Sequence, residues 1–350
     1  MSRTVLESLN SGLLGALGTS PDVLLLGEDI LDPYGGAFKV TKGCSTKYPQ
    51  QVITTPISEA GLAGLAAGLA LRGVRPVVEV MFGDFITLMA DQLVNHIAKF
   101  RWMYNDTVNL PLIIRTPMGG RRGYGPTHSQ TLEKLFMGIP GLTVVAPNHL
   151  LPDGAIDPGE QLKRLILETS EPVLFVENKL QYLLPLLTQT GLSEFDVHQR
   201  YTVDDEKRLF PIRTLEVAGA PTPVCTIAAY GYMSELCLDA VKKLAYDHEV
   251  FCRLVIPTRL TPFQTEFIEE SVQETGRLLI VEEGTITMGW GAELTARVAE
   301  KLSVKLKKVS RVGANDTPVP AASTLERQTL PQVDTIVDAV LRLAGINGKT

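Results

Sequence analysis

No apolar run in this sequence approaches the ~20 residues that a membrane-spanning helix needs, so the chain is not expected to cross a bilayer. Its start, MSRTVLESLNSGLL, lacks the basic head and long apolar stretch of a secretory signal, and the expectation is a mature N-terminus in the cytoplasm. Cysteine is scarce. Cys44, Cys225, Cys237 and Cys252 form no CxxC pair and no spacing with nearby histidines that suits zinc, so they are read as reduced thiols. An excess of positive charge is lacking too: 33 Lys and Arg stand against 39 Asp and Glu, a net charge of -6. That balance carries no electrostatic footprint for nucleic acid or an anionic membrane surface. With 45% hydrophobic and 21% charged residues the chain has the make-up of an ordinary folded protein, which excludes disorder. At 350 residues it exceeds what a single core normally supports, and two domains are expected.

Short apolar runs, DVLLLGED, RPVVEVMF, LPLIIRTP, LTVVAPN and EPVLFVEN, alternate with helix-like stretches through about residue 180. That alternation predicts an α/β domain with a parallel sheet wrapped by helices. Ligands of such sheets gather outside the carboxyl ends of the strands, which singles out Glu28, Glu59, Phe85 and the loop after Arg115. From Leu183 to Pro223 helical period is lost, and the polar residues and prolines suit a connection. A second α/β unit follows, with TPVCTIAAYG, FCRLVIP and GRLLIVEEG as strands and SELCLDAVKKLAY and GAELTARVAEKL as helices.

One stretch, TTPISEAGLAGLAAGLALRG at residues 54–73, sets a lone carboxylate, Glu59, at the head of a run of Ala, Gly and Leu. Gly61, Gly64 and Gly68 fall on one helical face. Each costs up to roughly 1 kcal/mol against Ala inside a helix, so close packing or a ligand is expected to repay the loss. Ser58 is the predicted N-cap. As a helix-end charge Glu59 would contribute only about 0.3–1 kcal/mol, but its small apolar surroundings predict burial, and a buried carboxylate needs a specific partner.

This stretch resembles the DTPISE block of one thiamine diphosphate enzyme family, the β subunits of the decarboxylating component of 2-oxo acid dehydrogenase complexes, transketolase-like proteins of pyruvate or branched-chain type. LLLGEDILDPYGGAFKVTKG, EVMFGDFITLMADQLVNHIAK, LIIRTPMGG, THSQTLEKLF, IPGLTVVAPN, VEEGTITMGWGAEL and RVGANDTPVP extend the resemblance over roughly residues 4 to 343. It implies a pyrimidine-binding domain at 1–185, a linker at 186–215 and a transketolase C-terminal domain at 216–350. It also implies thiamine diphosphate, an α2β2 heterotetramer with an α subunit, and a lipoyl acyltransferase core as acceptor of the acyl group. The family's α chain carries the GDG motif for diphosphate and magnesium. No GDG occurs here, so magnesium is expected on the partner and no metal site in this chain.

By the same resemblance, Glu59 is the acid that hydrogen-bonds the ring nitrogen of the aminopyrimidine, favouring the imino tautomer whose exocyclic nitrogen takes the thiazolium proton. Phe85 is implied to stack on that ring, although an isolated Phe is ordinarily core. Met81 and Leu88 would line the pocket, Leu88 standing where relatives often have Gln, and Glu28 would lie near the cofactor. His128, whose THSQ matches the family's QHSQ, is implied in protonation or acyl transfer. Arg121 and Arg122 replace small or polar residues in the GGRRGYG loop, which suits an anionic substrate or carrier, or else a solvated loop. Asp91, Gln92 and Asn95 are read as a structural polar stripe on an interface helix. A monovalent cation near LILETSEP is also implied, but Thr169 stands where relatives often have Asp and NHLLPDGAIDPGEQL is longer than usual.

Rival readings remain. A carboligase half-subunit would send the fragment to an aldehyde or another acceptor, and a silent assembly subunit would keep only the fold. A plain nucleotide-binding module would need a glycine fingerprint that is missing.

Overall fold

The structure, a computed structural model, describes residues 3–346. The chain folds as two units. The first runs through Gly119 and adds Leu135–His149 and Ile156–Leu186, whereas Gly120–Lys134, Leu150–Ala155 and the chain from Leu187 onward build the second.

In the first unit the apolar runs become strands β1 (Val23–Gly27), β2 (Val52–Thr54), β3 (Arg75–Glu79), β4 (Ile113–Met118), β5 (Thr143–Val145) and β6 (Val173–Asn178). Their order is β5-β6-β4-β3-β1-β2 and every pairing among them is parallel. The chain leaves β1 for β2 on one side and returns to β3 on the other, so a topological switch point lies between β1 and β3, where open α/β sheets bind ligands.

Helix α1 (Val5–Thr19) begins with a capping box: the Thr4 hydroxyl accepts from the Glu7 N–H, and the Glu7 carboxylate accepts from the Thr4 N–H at 2.8 Å. A later helix in the same unit (Pro158–Glu168) crosses α1 at glycines. A Cβ on Gly159 would lie 1.8 Å from the Ser8 carbonyl oxygen, and one on Gly12 would lie 2.2 Å from that of Gly159. Elsewhere in the unit, α2 (Glu59–Leu71) buries Leu62, Ala63, Ala66, Ala67 and Ala70. Gly61, Gly64 and Gly68 face outward instead, with nothing within 4 Å of a Cβ at Gly64 or Gly68, so the expected close packing is not made within this chain.

The second unit carries β7 (Phe195–Arg200), β8 (Ile212–Val217), β9 (Cys225–Ala229), β10 (Cys252–Pro257), β11 (Arg277–Thr285) and β12 (Lys308–Ala314) in the order β12-β11-β9-β10-β8-β7. Four of these strands are parallel, and β8 pairs antiparallel with both β10 and β7. The segment 186–215, expected as a linker, therefore supplies β7 and the start of β8. Helices Met233–His248 and Val333–Ala344 pack on this sheet around Leu215, Ile227, Leu254, Leu279, Val241 and Val340. All four cysteines are buried and free, and burial pushes the Cys44 thiol up to about 12.

Candidate active site

Three adjacent strands of the first unit deliver the predicted residues to one end of the sheet. Glu28 follows β1, Glu59 follows β2 as the first residue of α2, and Met81 and Phe85 follow β3. Glu59 is 6% exposed, and among the described residues no hydrogen bond ends on its carboxylate. A buried acid in that state costs stability unless something completes it.

Ser58 holds the N-cap position, but its side chain makes no capping bond; its N–H donates instead to Glu28 Oε1 at 2.9 Å. Burial raises the Glu28 carboxyl above its ordinary range. The Ser58 N–H pulls it back down, and the charges of Glu59 and Asp29 add to the rise. The pair therefore has unequal environments, with Glu28 tied to the backbone and Glu59 buried without a hydrogen bond among the described residues.

Phe85 lies in a 3₁₀ turn, Gly83–Met89, in which residues three apart eclipse, so Leu88 shares its side. Phe85 and Met81 are half-buried, and the Phe85 ring meets Phe82 edge-on with centroids 5.9 Å apart. Leu88, expected as a pocket wall, is 58% exposed in this chain. The turn sits close to β4, because a Cβ on Gly83 would come 2.2 Å from Met118 Cγ.

Beneath these residues is a buried ionic network that sequence reading passed over. Arg115 Nε donates to Glu177 Oε1 at 2.8 Å, its other nitrogens reach Glu177 and Glu79, and the Tyr182 hydroxyl donates to Glu177. Burial alone would lower the Arg115 pKa, but Glu177 and Glu79 overcome it and hold the guanidinium charged. The signal was present: β3, β4 and β6 are apolar runs, yet each carries one charged residue of this network.

The remaining predicted residues belong to the second unit, in Gly120–Lys134. His128 is half-buried, its N–H donates to Gly125 O, and its Nδ1 lies 3.0 Å from Thr127 Oγ1. Arg121 makes contacts within its own unit. Its guanidinium donates to Pro331 O, lies 5.5 Å over the Tyr232 ring, and has Nε 3.8 Å from Glu283 Oε1. Arg122 is exposed, 5.8 Å over the Tyr124 ring.

Sequence reading also missed the second unit's buried acids, Glu133, Glu282, Glu283 and Glu326. Burial lifts Glu282 to about 7 against the pull of the Gly291 N–H, and the charge of Glu133 adds to the rise. Asp91 and Asn95 are exposed and bond each other at 2.7 Å, in a segment where Gln92–Ile97 forms a π-helix. Near LILETSEP, Arg75 Nη1 donates to the carbonyls of Ile166 and Thr169 at 2.9 and 3.0 Å. Among the described residues no group of three His, Cys, Asp or Glu is placed to hold a metal ion, and no helix is long and apolar enough to cross a membrane.

Comparison with known proteins assigns both units. Residues 3–183 match the family described as transketolase, pyrimidine binding domain, and residues 219–336 match transketolase, C-terminal domain. A solved split gene transketolase, an inactive β4 tetramer, superposes with a TM-score of 0.71 at 20% identity, covering 98% of each chain. The fold is thus transketolase-like.

The pyruvate dehydrogenase E1 component subunit beta-2 (mitochondrial) of Oryza sativa is 36% identical over 97% of this chain and 85% of its own length. The 3-methyl-2-oxobutanoate dehydrogenase subunit beta of Mycobacterium tuberculosis is 32% identical over 98% and 92%. The acetoin:2,6-dichlorophenolindophenol oxidoreductase subunit beta of Bacillus subtilis is 31% identical over 97% and 96%. The chain belongs to this family of E1-type β subunits of 2-oxo acid dehydrogenases.

Proposed function

We propose that this chain is the β half of a cytoplasmic α2β2 enzyme that binds thiamine diphosphate, decarboxylates a 2-oxo acid and passes the acyl group to a lipoyl carrier. The observation that carries the reading is Glu59, a buried carboxylate at a helix start with no hydrogen-bond partner among the described residues. That environment fits a weakly basic ring nitrogen, which would complete the acid's hydrogen bonding. Thiamine diphosphate, when bound, supplies the carbon nucleophile and the electron sink for decarboxylation.

The protein's own part is geometry and proton sharing. Glu59 holds a proton at the pyrimidine nitrogen, and Glu28 fixes the backbone that leads into it through Ser58. Phe85 offers an aromatic face, with Met81 and Leu88 as apolar neighbours. His128 moves a proton at the substrate or during acyl transfer.

Magnesium and the diphosphate grip are assigned to the α subunit, since this chain has no GDG. The outward glycines of α2 and the exposed Ile57, Leu65, Leu88, Trp102 and Met103 of the first unit support a partner that covers them. A monovalent cation near LILETSEP stays part of the proposal, in a segment where Arg75 Nη1 also donates to the carbonyls of Ile166 and Thr169.

The acetoin-acting Bacillus relative supports a second reading, in which the same half-site serves a different donor or acceptor. Reconstitution with the α subunit separates the two: carbon dioxide release from pyruvate or a branched-chain 2-oxo acid, with acylation of a lipoyl domain, is expected from the first. Carbon–carbon bond formation without lipoyl acylation would favour the second. Glu59→Gln is expected to lower turnover by about 10²–10⁴-fold with the melting temperature unchanged. Unaltered turnover and cofactor affinity in that variant would refute the role of Glu59.

A further inference from the structure

The glycine-rich loop that carries His128 presents three backbone N–H groups to carboxylates of its own unit. Gly120 N–H donates to Glu283 Oε1 at 3.0 Å, Arg121 N–H to Glu326 Oε1 at 2.7 Å, and Gly123 N–H to Glu326 Oε2 at 3.2 Å. Both acids are buried, Glu326 at 3% exposure.

Arg121 and Gly123 adopt left-handed backbone, φ 69° and 70°, which turns nearby N–H groups toward one side as in an anion-binding nest. Here the nest is filled by side chains of the protein itself. The approach is close, since a Cβ on Gly120 would lie 2.7 Å from Leu330 Cδ1 and 3.2 Å from Glu326 Oε1.

The far end of the same loop is also tied down. The Tyr230 hydroxyl donates to Glu133, and Lys134 Nζ donates to the carbonyls of Thr285 and Thr287 at 3.0 and 2.7 Å. His128 therefore lies midway along a strap fastened at both ends, with its own turn closed by Gly125 O.

We propose that Glu326, with Glu283 beside it, is a positioning residue that latches this loop through backbone N–H groups and so sets where His128 stands during the reaction. The inference rests on the catalytic reading of His128 given above, but the latch is measurable without any turnover. Hydrogen exchange is followed on the full chain, wild type against Glu326→Gln, which keeps size and removes the charge. Glu326→Asp serves as a second variant that keeps the charge and shortens the reach.

Amides of residues 119–125 are expected to exchange about tenfold faster in both variants, while those of helix Val333–Ala344 stay protected and report an intact fold. With the α subunit present, Glu326→Gln is expected to lower kcat by about tenfold, to leave the KM for the 2-oxo acid within about twofold, and to cost nothing further in a His128→Ala background.

Unchanged exchange at 119–125 overturns the latch, whatever the turnover. Faster exchange with equal losses of turnover in both backgrounds reduces Glu326 to maintaining the fold and overturns the positioning role. If turnover instead survives Glu59→Gln, the functional reading fails while the exchange result still decides the latch.

Discussion

Glu59 and Glu282 are both buried glutamates, and their surroundings differ. Glu59 stands at the start of α2 with its carboxylate unbonded among the described residues, whereas Glu282 is held against the start of Trp290–Leu302 by the Gly291 N–H at 3.1 Å. Burial lifts Glu282 from its ordinary 4.5 to about 7. Between those values the folded chain keeps a proton that the unfolded chain has released, so the folded state binds more protons. Stability then falls as pH rises from about 4.5 to about 7 and is flat in this respect above it, by an amount of order 3 kcal/mol at most. Urea unfolding across that range is expected to show a shallower pH slope in Glu282→Gln. An identical slope in the variant would mean that Glu282 does not titrate there.

At the scale of elements, glycine is used in two opposite ways. Where α1 crosses Pro158–Glu168, Gly159 is pressed against the Ser8 backbone, and Gly159→Ala is expected to destabilise the chain by roughly 1–3 kcal/mol or more. On α2, by contrast, Gly64 and Gly68 meet nothing, so Gly64→Ala and Gly68→Ala should each stabilise the isolated chain by up to about 1 kcal/mol. The same two changes are expected to weaken association with the α subunit, which sedimentation of the mixture would register.

The contrast also marks what was legible beforehand. Apolar runs announced β1, β3, β4, β5 and β6, and the mismatch between an acid and its small apolar neighbours announced the burial of Glu59. The spacing of Gly61, Gly64 and Gly68 gave a common face but not its direction, since spacing cannot say which side of a helix meets the sheet. Strand β7 was hidden in 186–215 because FDVHQR mixes polar and apolar residues on a half-exposed edge. The Glu326 latch had no local signal at all: its donors lie 203 and 205 residues away in sequence.

At the scale of the whole chain, two transketolase-like units each carry one set of the proposed site residues: Glu28, Glu59 and Phe85 in the first, His128 and its loop in the second. Neither unit offers a diphosphate motif or a cluster of metal-ligating side chains among the described residues, and the first leaves a glycine-faced helix and Trp102, 82% exposed, uncovered. The proposed division of labour with a second polypeptide would cover that face. Its most direct test is calorimetric titration of thiamine diphosphate and magnesium into this chain alone, the α subunit alone and the two together. Tight binding only by the pair, lost in Glu59→Gln, is the expected result; full-strength binding by this chain without a partner would contradict it.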